Sequence, residues 1–180
     1  MKIKALVIIC NVTFSNQNNE NEISKDQEDC VASCNENVRY EQLGGHCYFW
    51  SYHKETWRDA EEKCKEKKKG KEGHLAAVTS KEIHDLLMKK VVDEVESSWY
   101  WIGGTDKDKE GEWKWIDGSK WDFEKWATQP FQQPYQNLME RDDCLQIHHK
   151  YARDGWNDQG CEDEYQYICS WKICQGKKVS

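Results

Sequence analysis

The sequence predicts an α+β fold braced by disulfides, and three observations carry that expectation. Two amphipathic helical segments precede a series of aromatic, strand-like runs. Nine cysteines fall in a chain of 180 residues that opens with the pattern of a secretory signal. Ten tryptophans stand in a very polar composition, so the core is expected to be aromatic rather than aliphatic.

In chain order, Lys2 and Lys4 form a short basic region, Ala5 to Cys10 an apolar run, and Thr13-x-Ser15 a small-residue cleavage site. Residues 1–15 are therefore read as a signal peptide and the protein as secreted. The apolar run is too short to cross a bilayer, and no later segment approaches the roughly 20 apolar residues that crossing needs, which excludes membrane insertion. Losing residues 1–15 removes Cys10 and two lysines, so nine cysteines become eight and the formal charge moves from −7 to −9. Eight cysteines in a secreted chain imply four disulfides, drawn from about 105 pairings. Zinc knuckles are excluded because the spacings Cys30-x₃-Cys34, Cys34-x₁₂-Cys47 and Cys169-x₄-Cys174 contain no paired Cys-x₂-Cys. Net negative charge argues against nucleic acid and anionic membrane as partners.

Residues 16–29 are a polar leader too poor in apolar side chains to fold, residues 30–174 form one domain, and 175–180 a short tail. Gly44-Gly45 marks a hairpin tip. Trp57, Ala60 and Cys64 recur at helical spacing over 55–68, and the basic run Lys65 to Lys71, interrupted by Glu66, is its solvated end. His74 to Val78 reads as a short strand, and Thr79-x-x-Glu82 as the capping box of a second helix with Ile83, Leu86, Leu87 and Val91 on one face. Trp99 to Ile102 and Trp113 to Ile116 are strand-like, with Asp117-Gly118 as a turn. Gly118 to Glu140 lacks periodicity and reads as a long functional loop holding both prolines. Cys144 to Ile147 and Tyr165 to Cys169 close the domain as strands.

Several motifs stand in a telling order. They are Cys47-Tyr48-Phe49, Trp57-x-x-Ala60-x-x-x-Cys64, His74-Leu75-Ala76-Ala77-Val78, Trp101-Ile102-Gly103-Gly104, Glu110-Gly111-x-Trp113-x-Trp115, Trp156-Asn157-Asp158-x-x-Cys161 and Ile168-Cys169. From Cys30 to Cys174 the chain thereby resembles the C-type lectin-like domain family in its long form. The resemblance implies two helices flanking antiparallel sheets, with a long irregular loop region for calcium and ligand. It implies the disulfides Cys34–Cys47, Cys64–Cys169, Cys144–Cys161 and Cys30–Cys174, and it makes Trp101, Trp113 and Trp115 structural.

In sugar-binding members of that family, Ca²⁺ is held around a cis-proline, an acidic residue two before the loop cysteine, and an Asn-Asp pair. Ca²⁺ takes six to eight oxygens at about 2.3–2.6 Å, so clustered carboxylates and amides suit it. Carried over by position, the ligands are Gln129, Asp142, Asn157 and Asp158. These same groups, with Tyr135 as a stacking aromatic, would read neighbouring sugar hydroxyls. Asp142 stands where the family usually has Glu, and Phe131 replaces the acid of a Gln-Pro-Asp motif at Gln129-Pro130; Gln133-Pro134-Tyr135 is the other candidate frame and also ends in an aromatic. Calcium affinity is therefore expected at the weak extracellular end, roughly 10⁻⁴–10⁻³ M. Asp106, Glu110, Asp142 and Asp143 resemble a second calcium position. His148-His149 do not form a metal pair, because neighbours on a strand face opposite ways.

The resulting expectation is a secreted calcium-dependent lectin without catalysis, weakly favouring galactose-type sugars. Its partners are glycans with terminal sugars, and a single shallow site would need homo-oligomerisation or a multivalent target. The alternative is a lectin-like protein-binding module of the toxin, coagulation or immune type, which Phe131 and Tyr135 favour and Asn157-Asp158 oppose.

Overall fold

The computed structural model describes Cys34 and residues 40–66, 73–93, 99–127, 143–148 and 155–173. β1 (Tyr40–Leu43) and β2 (His46–Trp50) form a hairpin with Leu43 opposite His46. Gly44 and Gly45 take φ of 57° and 78°, the two left-handed positions that a two-residue hairpin turn demands. The Cys34–Cys47 disulfide pins the preceding segment to β2.

α1 (Trp57–Glu66) buries Trp57, Ala60, Glu61 and Cys64 along one stripe, with Asp59 in its first turn and Lys63 and Lys65 in its last, matching the helix dipole. Its Cys64 is bonded to Cys169, and the Trp57 indole donates to the Ile102 carbonyl at 2.8 Å. β3 (Gly73–Leu75) is shorter than the sequence suggests. Ala76, Ala77 and Val78 continue as buried, non-strand backbone, where the Ala76 N–H donates to Ile168 and its carbonyl accepts from Gly103. α2 (Lys81–Asp93) presents Ile83, Leu87 and Val91 to the core as expected. Its cap is one residue later than the capping box predicts. Ser80 Oγ accepts from the Ile83 N–H at 3.3 Å, so Ser80 rather than Thr79 ends the chain's extended approach.

β4 (Trp99–Thr105), β5 (Lys114–Trp115), β6 (Cys144–His148), β7 (Gly155–Gln159) and β8 (Gln166–Lys172) complete the sheet. The strand order is β1-β2-β8-β4-β6-β7, with β3 also on β8 and β5 also on β4. β8 is the hub: it runs antiparallel to β2 and β3 and parallel to β4. This is the expected α+β fold with two helices. Among the described residues, no helix is long and apolar enough to cross a membrane.

The sheet is covered on both faces. Leu145, Ile147, Tyr100, Ile102, Trp115 and Trp156 meet α2 residues in one core cluster. Trp101, Cys144, Tyr167, Cys169 and Trp171 meet α1 residues in another. Trp101 and Trp115 are buried and Trp113 packs partly buried against the first cluster, which fits the structural role expected of them.

Candidate functional site

The site grows from one row across three strands. Thr105 on β4 pairs with Cys144 on β6, and Cys144 pairs with Gln159 on β7. Neighbouring strands lie about 4.8 Å apart, so the row spans roughly 10 Å from β4 to β7. Asp106 and Asp143 lie one step beyond it, and Asp158 and Asn157 one and two steps before it. The Cys144–Cys161 bond ties the row to the segment after β7.

Backbone and hydroxyl contacts lock Asp106 and Asp143 together. The Asp143 carbonyl accepts from Thr105 Oγ1 at 2.6 Å and from the Asp106 N–H at 3.3 Å. Asp106 is 1% exposed; its Oδ2 accepts from the Gly111 N–H at 2.9 Å, while its Oδ1 is buried with no hydrogen-bond partner among the described residues. Burial pushes the Asp106 carboxyl above its ordinary value, against the Gly111 N–H, and the nearby Asp143 charge adds to the rise. Glu110 lies exposed in the same turn, before Gly111 at φ 76°.

Asn157 and Asp158 sit on β7, a strand that the residue pattern alone does not mark. Cross-strand partners share a face, so Asn157 lies beside Gln146 and Asp158 beside Leu145. Strand alternation thus sends the two side chains to opposite faces, so any shared ion would have to sit at the strand's edge rather than on one face, and the contact between them is Asn157 Nδ2 donating to the Asp158 carbonyl at 2.6 Å. Half a turn about its last side-chain bond would put the amide oxygen there instead.

β7 is also where the long loop begins. The Trp156 N–H donates to Lys125 and its carbonyl accepts from Ala127, a parallel bridge of Trp126 to Trp156. Gly155 makes this approach possible, since a Cβ there would lie 2.5 Å from the Ala127 nitrogen. The chain therefore departs for Gln129 from a point beside Asn157. Beneath it lies an aromatic platform of Trp113, Trp115, Trp121, Phe123, Trp126 and Trp156. Glu124, which no motif in the sequence singles out, accepts from the indoles of Trp121 at 2.7 Å and Trp126 at 3.1 Å. Its carboxylate fixes two rings at the loop root, a role that three-dimensional proximity alone reveals.

Of the residues expected at the site, the structure describes Asp106, Glu110 and Asp143 on one side of the row and Asn157 and Asp158 on the other. Gln129, Phe131, Tyr135, Asp142, His149, Cys30 and Cys174 lie outside the described residues. His148 is buried and stacked on Trp99 with ring centroids 4.0 Å apart, which is a packing role. Among the described residues, no three His, Cys, Asp or Glu side chains gather as a metal site.

The family model of the lectin C-type domain matches residues 53–171. The chain belongs to the C-type lectin family. It is similar to an alpha-N-acetylgalactosamine-specific lectin of Patiria pectinifera, 36% identical over 129 residues, covering 69% of this chain and 73% of that one. It is likewise similar to one polypeptide of the snaclec coagulation factor IX/factor X-binding protein of Echis carinatus, 35% identical over 131 residues, covering 69% of this chain and 91% of that one. Among solved structures, the C-type lectin CEL-I of Cucumaria echinata aligns with a TM-score of 0.66 at 27% identity, over 77% of this chain and 98% of that one. The family includes sugar-specific lectins and is generally non-enzymatic.

Proposed function

We propose that this C-type lectin is a secreted, calcium-dependent carbohydrate-binding protein that takes terminal sugars of the galactose type. The observation that supports it is the placement of Asn157-Asp158 on β7 and of Asp106 and Asp143 across one three-strand row, beside the point where the chain leaves Ala127 toward Gln129. The chemistry of the proposed donor set, amide and carboxylate oxygens, supports a hard cation. Asp106 holds a buried carboxylate oxygen without a partner, which costs about 1–3 kcal/mol unless something charged or donating meets it. Gln129, Asp142, Asn157 and Asp158 would hold the cation, and Asp106, Glu110, Asp142 and Asp143 a second one.

Bound calcium would supply coordination positions for two neighbouring sugar hydroxyls. The chain's own groups then set specificity: the Asn157 amide donates to one hydroxyl, and the Asp142 and Asp158 carboxylates accept from others. Tyr135 offers a ring to the sugar's apolar face. The Patiria pectinifera relative's specificity for N-acetylgalactosamine supports the galactose-type preference. A single such site binds at roughly millimolar strength, about −4 kcal/mol, so multivalent targets or self-association are part of the reading.

The test is a glycan array on correctly oxidised protein, with CaCl₂ and with a chelator. Calcium-dependent signal on terminal galactose or N-acetylgalactosamine is expected, and loss of that signal in Asn157→Asp. The similarity to a coagulation-factor-binding snaclec supports a second reading, a protein-binding module. Saturable binding to a protein partner, with an array that stays blank in calcium, would select it.

A further inference from the structure

Gln146 carries an anomaly that the sheet does not explain. It is 1% exposed on β6, and among the described residues neither its Oε1 nor its Nε2 has a hydrogen-bond partner. Buried side-chain amides are nearly always bonded, so this amide has bonding capacity at both ends that the described residues leave unused. One candidate partner stands opposite. Gln146 and Asn157 are direct cross-strand neighbours, which places their Cβ atoms about 4.5–5.5 Å apart on one face. On its other side Gln146 pairs with Trp101, whose indole N–H is already committed to the Glu55 carbonyl at 3.0 Å. Asn157 is therefore the neighbour with hydrogen-bonding capacity to exchange.

Asn157 spends its Nδ2 on the Asp158 carbonyl. A cation drawn to that carbonyl would meet the positive amide group instead of an oxygen, so the carboxamide must turn before both can face one ion. Turning leaves Nδ2 in need of an acceptor on the side of Gln146, where Oε1 is unused. We infer that Gln146 is a positioning residue: its Oε1 takes one Nδ2 hydrogen of Asn157, which fixes Asn157 Oδ1 toward the cation. The second Nδ2 hydrogen stays available to a sugar hydroxyl. This inference rests on the calcium reading above. It assigns Gln146 the outer-shell work that partners of metal ligands commonly do.

The experiment titrates CaCl₂ into the oxidised full chain by calorimetry, alongside thermal unfolding in chelator. Gln146→Met keeps the volume and removes the acceptor. Its calcium Kd is expected to rise about tenfold. Its calcium-free melting temperature should equal or exceed that of the unaltered protein, because an unpaired buried amide has been replaced by an apolar group.

Equal Kd for the unaltered protein and Gln146→Met overturns the inference. If Gln146→Met does not fold, side-chain amide NMR of the unaltered protein decides. Calcium should shift the Asn157 and Gln146 amide signals together, and a shift confined to Asn157 overturns the assignment. Absence of any calcium heat in the unaltered protein removes the calcium reading itself, whereas normal binding with an indifferent Gln146→Met removes only this role.

Discussion

β8 and β7 do opposite work on one sheet. β8 hydrogen-bonds to three strands, carries Cys169 of the Cys64–Cys169 disulfide, and is buried from Tyr167 to Trp171. β7 pairs along its length with β6 alone and is only half-buried from Asn157 to Gln159. A strand with three partners holds side chains that no ligand could reach, while the sheet's last strand keeps its polar groups accessible. Stability and recognition are thereby separated in space, and substitutions should sort accordingly.

The largest loss of stability is expected at the hub. Ile168→Ala removes a fully buried side chain and should cost about 2–5 kcal/mol, taking sugar binding with it through unfolding. Chemical denaturation measures the loss; a cost below about 1 kcal/mol would show that β8 is not the hub of stability. Gly155→Ala at the β7 border forces a Cβ against the Ala127 backbone, so a cost of about 1–3 kcal/mol is expected, with glycan binding weakened further as the loop root is displaced.

A smaller, pH-dependent effect belongs to α1 and β3. Glu61 is buried, which by itself would raise its pKa. Hydrogen bonds from His74 Nδ1 at 2.7 Å and the Leu75 N–H at 2.8 Å outweigh this and hold it below its ordinary 4.5. His74 is raised above 6.5, chiefly by the same hydrogen bond. A lowered acid stabilises above its unfolded pKa and stops as pH falls through the folded one. A raised histidine stabilises below its unfolded pKa and stops as pH rises through the folded one. The pair therefore helps most between the ordinary values, 4.5 and 6.5. His74→Gln should lower the melting temperature by roughly 2–4 °C in that window and by less at about pH 9. Scanning calorimetry across pH checks it, and a deficit that is constant with pH would refute the ion pair.

Least disturbing to the fold is Asn157→Asp. Its melting temperature in chelator should stay within about 1 °C, since surface changes are worth within about 0.5 kcal/mol, while retention on galactose-agarose disappears. A melting temperature falling as far as that of Ile168→Ala would erase the distinction between the two strands.

Much of this division was legible in residue order. Helical spacing at Trp57, Ala60 and Cys64 and at Ile83, Leu87 and Val91 placed both helices, because burial on one stripe leaves a period that survives in sequence. The three disulfides now seen agree with the pairing that the family resemblance implied. β7 escaped because Gly155, Asn157 and Asp158 are poor strand formers, held extended here by β6 and by Lys125 to Ala127. The cap moved from Thr79 to Ser80 because two adjacent hydroxyls compete and tertiary packing chooses. Gln146 gave no signal at all. A glutamine in a strand reads as solvent-facing, and only a sheet covered on both sides buries it.

The hairpin and β8 lie together, with the Ile173 N–H donating to Gly45 at 2.7 Å, so the described chain enters by β1 and departs after β8 along the same border. Five inter-strand steps separate β1 from β7, on the order of 20 Å. Immobilising the protein on a sensor chip or nanoparticle through that border would leave the β7 rim pointing at the analyte, and many copies could be displayed in one orientation.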